Sequence, residues 1–155
     1  MSFGTIPMRL IYSLIAIALL CMTGCTSVNI RPISAEHQIT SVVIKENPKV
    51  AVADFLDVLV DGFERNGIKA KVVSESTEVH DGYSVNYVAY RKWDLAPYLV
   101  DATIGIYKNG ERIAQAQYHL KGGGGFSMMK WQGTKTKIDP VIDELLKDLK
   151  TKALK

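Results

Sequence analysis

Beyond Cys25 the chain has no cysteine. A domain downstream of that point must hold together without disulfides, and thiol catalysis and cysteine-based metal sites are excluded. Histidine is scarce as well: His37, His80 and His119 stand far apart, with no metal-ligand spacing among them. A clustered basic stretch is also missing. The formal charge of +3 comes from 19 basic and 16 acidic side chains spread along the chain, which is no electrostatic footprint for nucleic acid. The serines sit in no nucleophile elbow. There is no internal repeat, and the apolar run from Leu10 to Leu20 is about half the ~20 residues that a spanning helix needs.

That short run takes its meaning from what surrounds it. Arg9 supplies a basic start after Met8, and Thr23-Gly24 places small side chains directly before Cys25. This is the pattern of a lipoprotein processing site, in which the cysteine becomes the new N-terminus. Its thiol would carry a diacylglycerol and its amine a further acyl chain. Cys21 does not qualify, because Leu20 before it is too bulky for the cleavage pocket, and Met22 stands where leucine is more usual. Residues 1–24 therefore read as a signal peptide, with Met8 as the start and Met1 to Pro7 as an upstream extension. Thr26, not being an aspartate, gives no inner-membrane retention, so the expected address is the periplasmic face of the outer membrane, held by lipid. Cleavage leaves 131 residues with a net charge of +2, enough for one domain and too few for two.

Residues 25–38 are polar with scattered apolar positions and read as a flexible tether. A single domain over 39–150 follows, with 151–155 as a frayed tail. Ser41 to Ile44 is a β-branched run that predicts a strand. Asn47-Pro48 predicts a helix start, and Val52, Phe55, Leu56, Leu59 and Phe63 recur at helical spacing until Asn66-Gly67 gives a left-handed exit. The opposite side carries Asp54, Asp57, Asp61 and Glu64, a solvated acidic face. Strands are expected over Ile68 to Val72, from Tyr83 until the chain runs out at Trp93-Asp94, and from about Leu99 after the break at Pro97. For the next pair a three-residue loop with Gly110 as a left-handed bulge, pairing Tyr107 with Glu111, sets Val100, Ala102 and Ile104 on one face with Ala114, Ala116 and Tyr118. A last helix is expected to start near Thr136 or Asp139, with Ile142, Leu145, Leu146 and Leu149 on one side. The fold class is α+β: a two-layer α/β sandwich with a mainly antiparallel sheet of four to five strands and two helices on one face.

Gly122, Gly123, Gly124 and Gly125 invite a phosphate cradle, but a cradle needs a helix N-terminus directly after the glycines, and Phe126-Ser127-Met128-Met129 reads as extended. A backbone bulge or a mobile flap fits better. Trp93, Phe126 and Trp131 stand where strands end and after the glycines, so they are candidates for an aromatic partner surface as well as for ordinary packing.

Several motifs together carry a resemblance: Lys45-Glu46-Asn47-Pro48, Asp54-Phe55, Asp61-Gly62-Phe63, Arg91-Lys92-Trp93-Asp94, Tyr118-His119-Leu120 running into the glycines and Phe126, and Trp131 with Pro140-Val141-Ile142-Asp143. Over nearly the whole mature chain this resembles a family of small lipoproteins of Gram-negative bacteria, a resemblance that brings no activity, ligand or cofactor. Some of its members carry a cysteine pair near the positions of Val43 and Asp81, absent here, so no disulfide is carried over. The expectation is a non-catalytic envelope component that binds another protein through a strand edge or through Trp93, Gly122 to Gly125, Phe126 and Trp131. The alternative is a module for a small or polymeric ligand such as a cell-wall fragment or a lipid. A pocket with convergent polar groups would favour the ligand and a flat apolar patch the protein.

Overall fold

A computed structural model describes residues 26–121 and 128–149. The expected signal peptide, Cys25, Gly122 to Gly125, Phe126 and the expected frayed tail lie outside them. In chain order the described residues form β1 (Thr26–Arg31), β2 (Ser41–Lys45), α1 (Phe55–Arg65), β3 (Lys69–Val73), β4 (Tyr83–Asp94), β5 (Ala96–Lys108), β6 (Glu111–Leu120), a 3-10 turn (Met128–Trp131) and α2 (Thr134–Leu145). The strands make one open sheet in the order β1-β6-β5-β4-β2-β3.

The class is α+β, but the sheet has six strands and is mixed, where four to five mainly antiparallel strands were expected. Strand β2 runs parallel to both β3 and β4, whereas β4, β5, β6 and β1 are antiparallel in succession. The parallel pair follows from connectivity, because β2 and β3 are joined through α1 and a helical crossover returns the chain in the same direction. The additional strand is β1, which lies where a tether was expected. Its residues alternate as Ser27, Asn29 and Arg31 against Val28 and Ile30, and Val28 pairs with Tyr118 across the ladder to β6. Ile33, also in the expected tether, is fully buried, and its N–H donates to the carbonyl of Leu145 at 3.0 Å.

Helix α1 starts at Phe55, seven residues later than Asn47-Pro48 suggested. Asn47 closes a local turn instead: its Oδ1 accepts from the Lys49 N–H at 3.1 Å, its carbonyl accepts from Val50 at 3.0 Å, and its Nδ2 donates to the Tyr87 carbonyl at 2.9 Å. An asparagine that caps a turn so completely leaves the helix to nucleate downstream. The exit is as expected. Ile68 N–H reaches the Phe63 carbonyl and Gly67 N–H that of Glu64, with Gly67 at φ +78°, which is the Schellman arrangement. Helix α2 begins at Thr134, before the expected caps, and continues through Pro140, which is exposed. Thr134 is fixed there by its hydroxyl, which donates to Asp54 Oδ1 at 2.8 Å.

One buried cluster joins alternate residues of the sheet to both helices: Val42 and Ile44, Val85 to Ala89, Ala102 to Ile106 and Ala114 to Tyr118 meet Phe55, Leu59, Phe63, Ile138, Ile142 and Leu145. The helices thus cover one face of the sheet. The other carries Asn86, Thr103, Gln115 and Gln117 and is left open among the described residues.

Candidate functional site

At one end of the sheet β4 and β5 project past their neighbours. Pairing between β5 and β6 ends at Asp101 with His119, yet β5 begins at Ala96, so the β4–β5 arm extends about 16 Å further at ~3.3 Å per residue. A bulge between Tyr90 and Arg91 bends it, and the chain reverses over a single residue, Leu95, at φ +60°. Pro97 faces Trp93 in this arm, where β6 no longer asks β5 for a hydrogen bond, and this is why proline is tolerated inside the strand.

A polar knot fastens this arm to the turn before α2. The ammonium of Lys130, whose side chain is buried, lies 2.5 Å from Asp94 Oδ2 and stands over the rings of Trp131 and Tyr98, 4.3 and 5.6 Å from their centroids. Trp131 Nε1 donates to the Asp94 carbonyl at 2.9 Å. Behind them the buried Lys137 donates to the carbonyls of Lys130 at 2.6 Å and Leu99 at 3.2 Å, and burial pushes its ammonium below the ordinary lysine range. Beside the knot is a cleft of about 280 Å³ lined by Asp54, Arg91, Pro97, Trp131 and Thr134.

This places two of the residues expected at a partner surface and gives them different tasks. Trp131 is half-buried and tied by its ring nitrogen and its cation. Trp93 is 75 % exposed on the same arm, and Leu95 at the tip is 81 % exposed. Gly122 to Gly125 and Phe126, expected to share that surface, lie outside the described residues. Sequence reading missed Asp94, Leu95 and Lys130. An apolar Leu95 between an aspartate and Ala-Pro was the available signal, since such a turn favours a polar residue or glycine.

The open face holds another cleft, about 350 Å³, where Lys45, Glu46, Asn86, Thr103, Tyr107 and Arg112 converge. Gly105 lets the Tyr107 ring lie across it, since a Cβ there would meet that ring at 2.9 Å. Further along the same face Ser27, His119 and Asp101 lie side by side on β1, β6 and β5, and His119 Nδ1 is 2.5 Å from Asp101 Oδ1. The order is that of a nucleophile, base and orienting acid. The histidine and the aspartate, however, are about half exposed on a flat sheet, and neither of these clefts is lined by them. His80 pairs with Glu78 in an exposed loop, and His37 packs edge-on against Tyr83. Among the described residues no three of His, Cys, Asp and Glu converge as metal ligands.

No family model and no curated protein matches the chain. Solved structures do. PelC from Paraburkholderia phytofirmans, crystallised as a dodecamer, superposes with a TM-score of 0.50 at 16% identity, covering 79% of this chain and 98% of PelC. A PelC point variant of the same organism gives 0.49 at 12%, covering 80% and 96%. At such identity the likeness is one of fold.

Proposed function

We propose that this chain is a lipid-anchored, non-catalytic binding protein of the cell envelope, carried on the periplasmic face of the outer membrane by acylated Cys25, and that its partner is a protein. The observation that carries the second half is the open sheet: two helices cover one face, while the other face and the outer edges of β1 and β3 remain free among the described residues. Free edges and an uncovered face are where strands and sheets pair with other chains. The dodecameric PelC, which shares the fold, is consistent with copies of this chain being that partner.

The polar cleft at Lys45, Asn86, Thr103 and Arg112 favours a second reading, in which the face holds a polar envelope ligand such as a cell-wall fragment. Two measurements separate the possibilities. Cys25→Ser should release soluble or unprocessed protein, and a variant that still fractionates with the outer membrane removes the anchor. Photocrosslinkers at Thr103 and Gln117 should capture a second copy or another protein. Capture of glycan alone, competed by soluble muropeptides, would replace the protein reading with the ligand one.

A further inference from the structure

The β4–β5 arm carries a feature that neither a protein partner on the sheet face nor the core accounts for. Its tip displays Trp93 and Leu95, the two most exposed of the large apolar side chains among the described residues, with Tyr90, 62 % exposed, further down the arm. Leu95 occupies a left-handed conformation in which a side chain is strained and glycine or asparagine would be at ease. A leucine there is unfavourable twice over, in backbone strain and in hydration. The arm is not slack. Asp94, one residue before the tip, is held by Lys130, and its carbonyl by Trp131. Arg91 and Lys92, both exposed, directly precede the tryptophan.

The sheet register says where this tip points. Thr26 pairs with Leu120, Leu120 ends β6 just beyond the pairing of His119 with Asp101, and β5 continues from Asp101 back to Ala96. Thr26 and the tip therefore lie towards the same end of the sheet, at most three strand spacings apart across it, about 14 Å, with the tip about 16 Å further out along the strands. Thr26 is bonded to Cys25, so a lipid on that cysteine has no tether between it and the sheet.

We propose that the Trp93–Leu95 tip is a second membrane contact, entering the headgroup and upper acyl region of the bilayer that holds Cys25 and fixing the orientation of the domain on it. This rests on the lipoprotein reading above. Tryptophan suits the interface because its ring is apolar and its N–H polar, and leucine suits the acyl side. Arg91 and Lys92 have the charge and reach for lipid phosphates. The acyl anchor makes the contact intramolecular, so even a weak tip is held at high effective concentration. With anchor and tip as two points, the long axis of the β4–β5 arm stands towards the membrane, and the opposite end, with the Asn109-Gly110 turn, faces the periplasm.

The test uses the full chain, purified from membranes and reconstituted into phosphatidylethanolamine–phosphatidylglycerol vesicles with brominated acyl chains, with acylation of Cys25 scored by mass spectrometry on the same sample. Wild-type emission should be quenched by the bromolipid, and Trp93→Phe, which leaves Trp131, should lose that quenching. Leu95→Asn relieves the backbone, so the protein should stay folded while its quenching falls. Acylated, membrane-bound protein whose Trp93 stays open to aqueous acrylamide overturns this inference alone. Shielding of Trp93 from both quenchers overturns it as well, because a protein or a second copy then covers the tip. Protein without acyl chains overturns the lipoprotein reading and this inference with it.

Discussion

Gly62 of α1 lies against the side chain of Ile142 of α2 so closely that a Cβ at Gly62 would overlap its Cδ1. The two helices meet there because one of them has no side chain. Next to this contact Arg65 bridges Asp139 at 2.7 Å and Asp143 at 3.1 Å, and Asn66 Nδ2 donates to Asp143 at 2.9 Å. On helix propensity alone, alanine at 62 would be favoured by about 1 kcal/mol. Overpacking opposes it with about 1–3 kcal/mol, since Ile142 is fully buried and cannot swing out. Gly62→Ala should therefore lower stability in urea denaturation. In an Ile142→Val background, where the colliding methyl is gone, the same change should be neutral or stabilising. Simple additivity of the two substitutions would mean that the helices are not in contact at this point.

Tyr118 provides a test with a pH axis. It faces the core with its hydroxyl unpartnered among the described residues, and burial pushes its pKa up to about 12 from 10.0. Between those values the unfolded chain has lost the proton that the folded one keeps, so stability is intact below about pH 10 and falls as the pH rises towards 12. The loss is of order 2–3 kcal/mol. Tyr118→Phe should flatten that fall, leaving the part due to the other groups whose pKa is raised, Tyr87 chiefly by burial and Lys147 by its hydrogen bond to Glu144. Tyr118→Asp should cost several kcal/mol at neutral pH, whereas Gln117→Asp on the open face should cost under about 1 kcal/mol.

The hairpin between β5 and β6 shows how far sequence carries and where it stops. Asn109 and Gly110 are both left-handed, at φ +51° and +82°, so the turn is the two-residue type closed by Lys108 and Glu111, and not the three-residue loop that hydrophobic pattern suggested. The pattern was still right about faces, because a bulge beside Ile106 and Tyr107 adds one residue in β6 and restores apolar against apolar: Ile106 with Ala114, Ile104 with Ala116, Ala102 with Tyr118. Pattern reports which residues are buried but not where along the ladder the register is corrected. Asn109→Gly should be close to neutral and Gly110→Val should destabilise by about 1 kcal/mol or more in thermal unfolding, since only the second puts a branched side chain at positive φ.

The same limit explains the rest. Helix α1 and the alternation in β4 and β6 were legible because each is periodic over many residues. Strand β1 was not, since its partner β6 lies about 90 residues away and its alternation is only Val28 and Ile30 among polar residues. At the candidate site Trp93 was singled out by its type, but the division of labour with Trp131 depends on Asp94 and Lys130, 36 residues apart in sequence. Composition cannot signal a pair of that kind.

Lys137 tests whether the knot holds the arm. It is buried in α2, and its ammonium spans from the turn at Lys130 to Leu99 in β5. Lys137→Met keeps most of the side-chain volume but leaves both carbonyls without this donor, at a cost of about 1–3 kcal/mol. Titration gives an independent signature. Burial holds the lysine below 10.5, so between its lowered value and 10.5 the unfolded chain binds the proton more readily and stability rises with pH. That slope has the opposite sign to the one from Tyr118, and it should vanish in Lys137→Met while the alkaline fall remains. Amide exchange at Lys130 and Trp131 should quicken in the variant more than exchange in β6. If both regions quicken equally, the substitution has weakened the whole domain, and Lys137 is a core residue without a special hold on the arm.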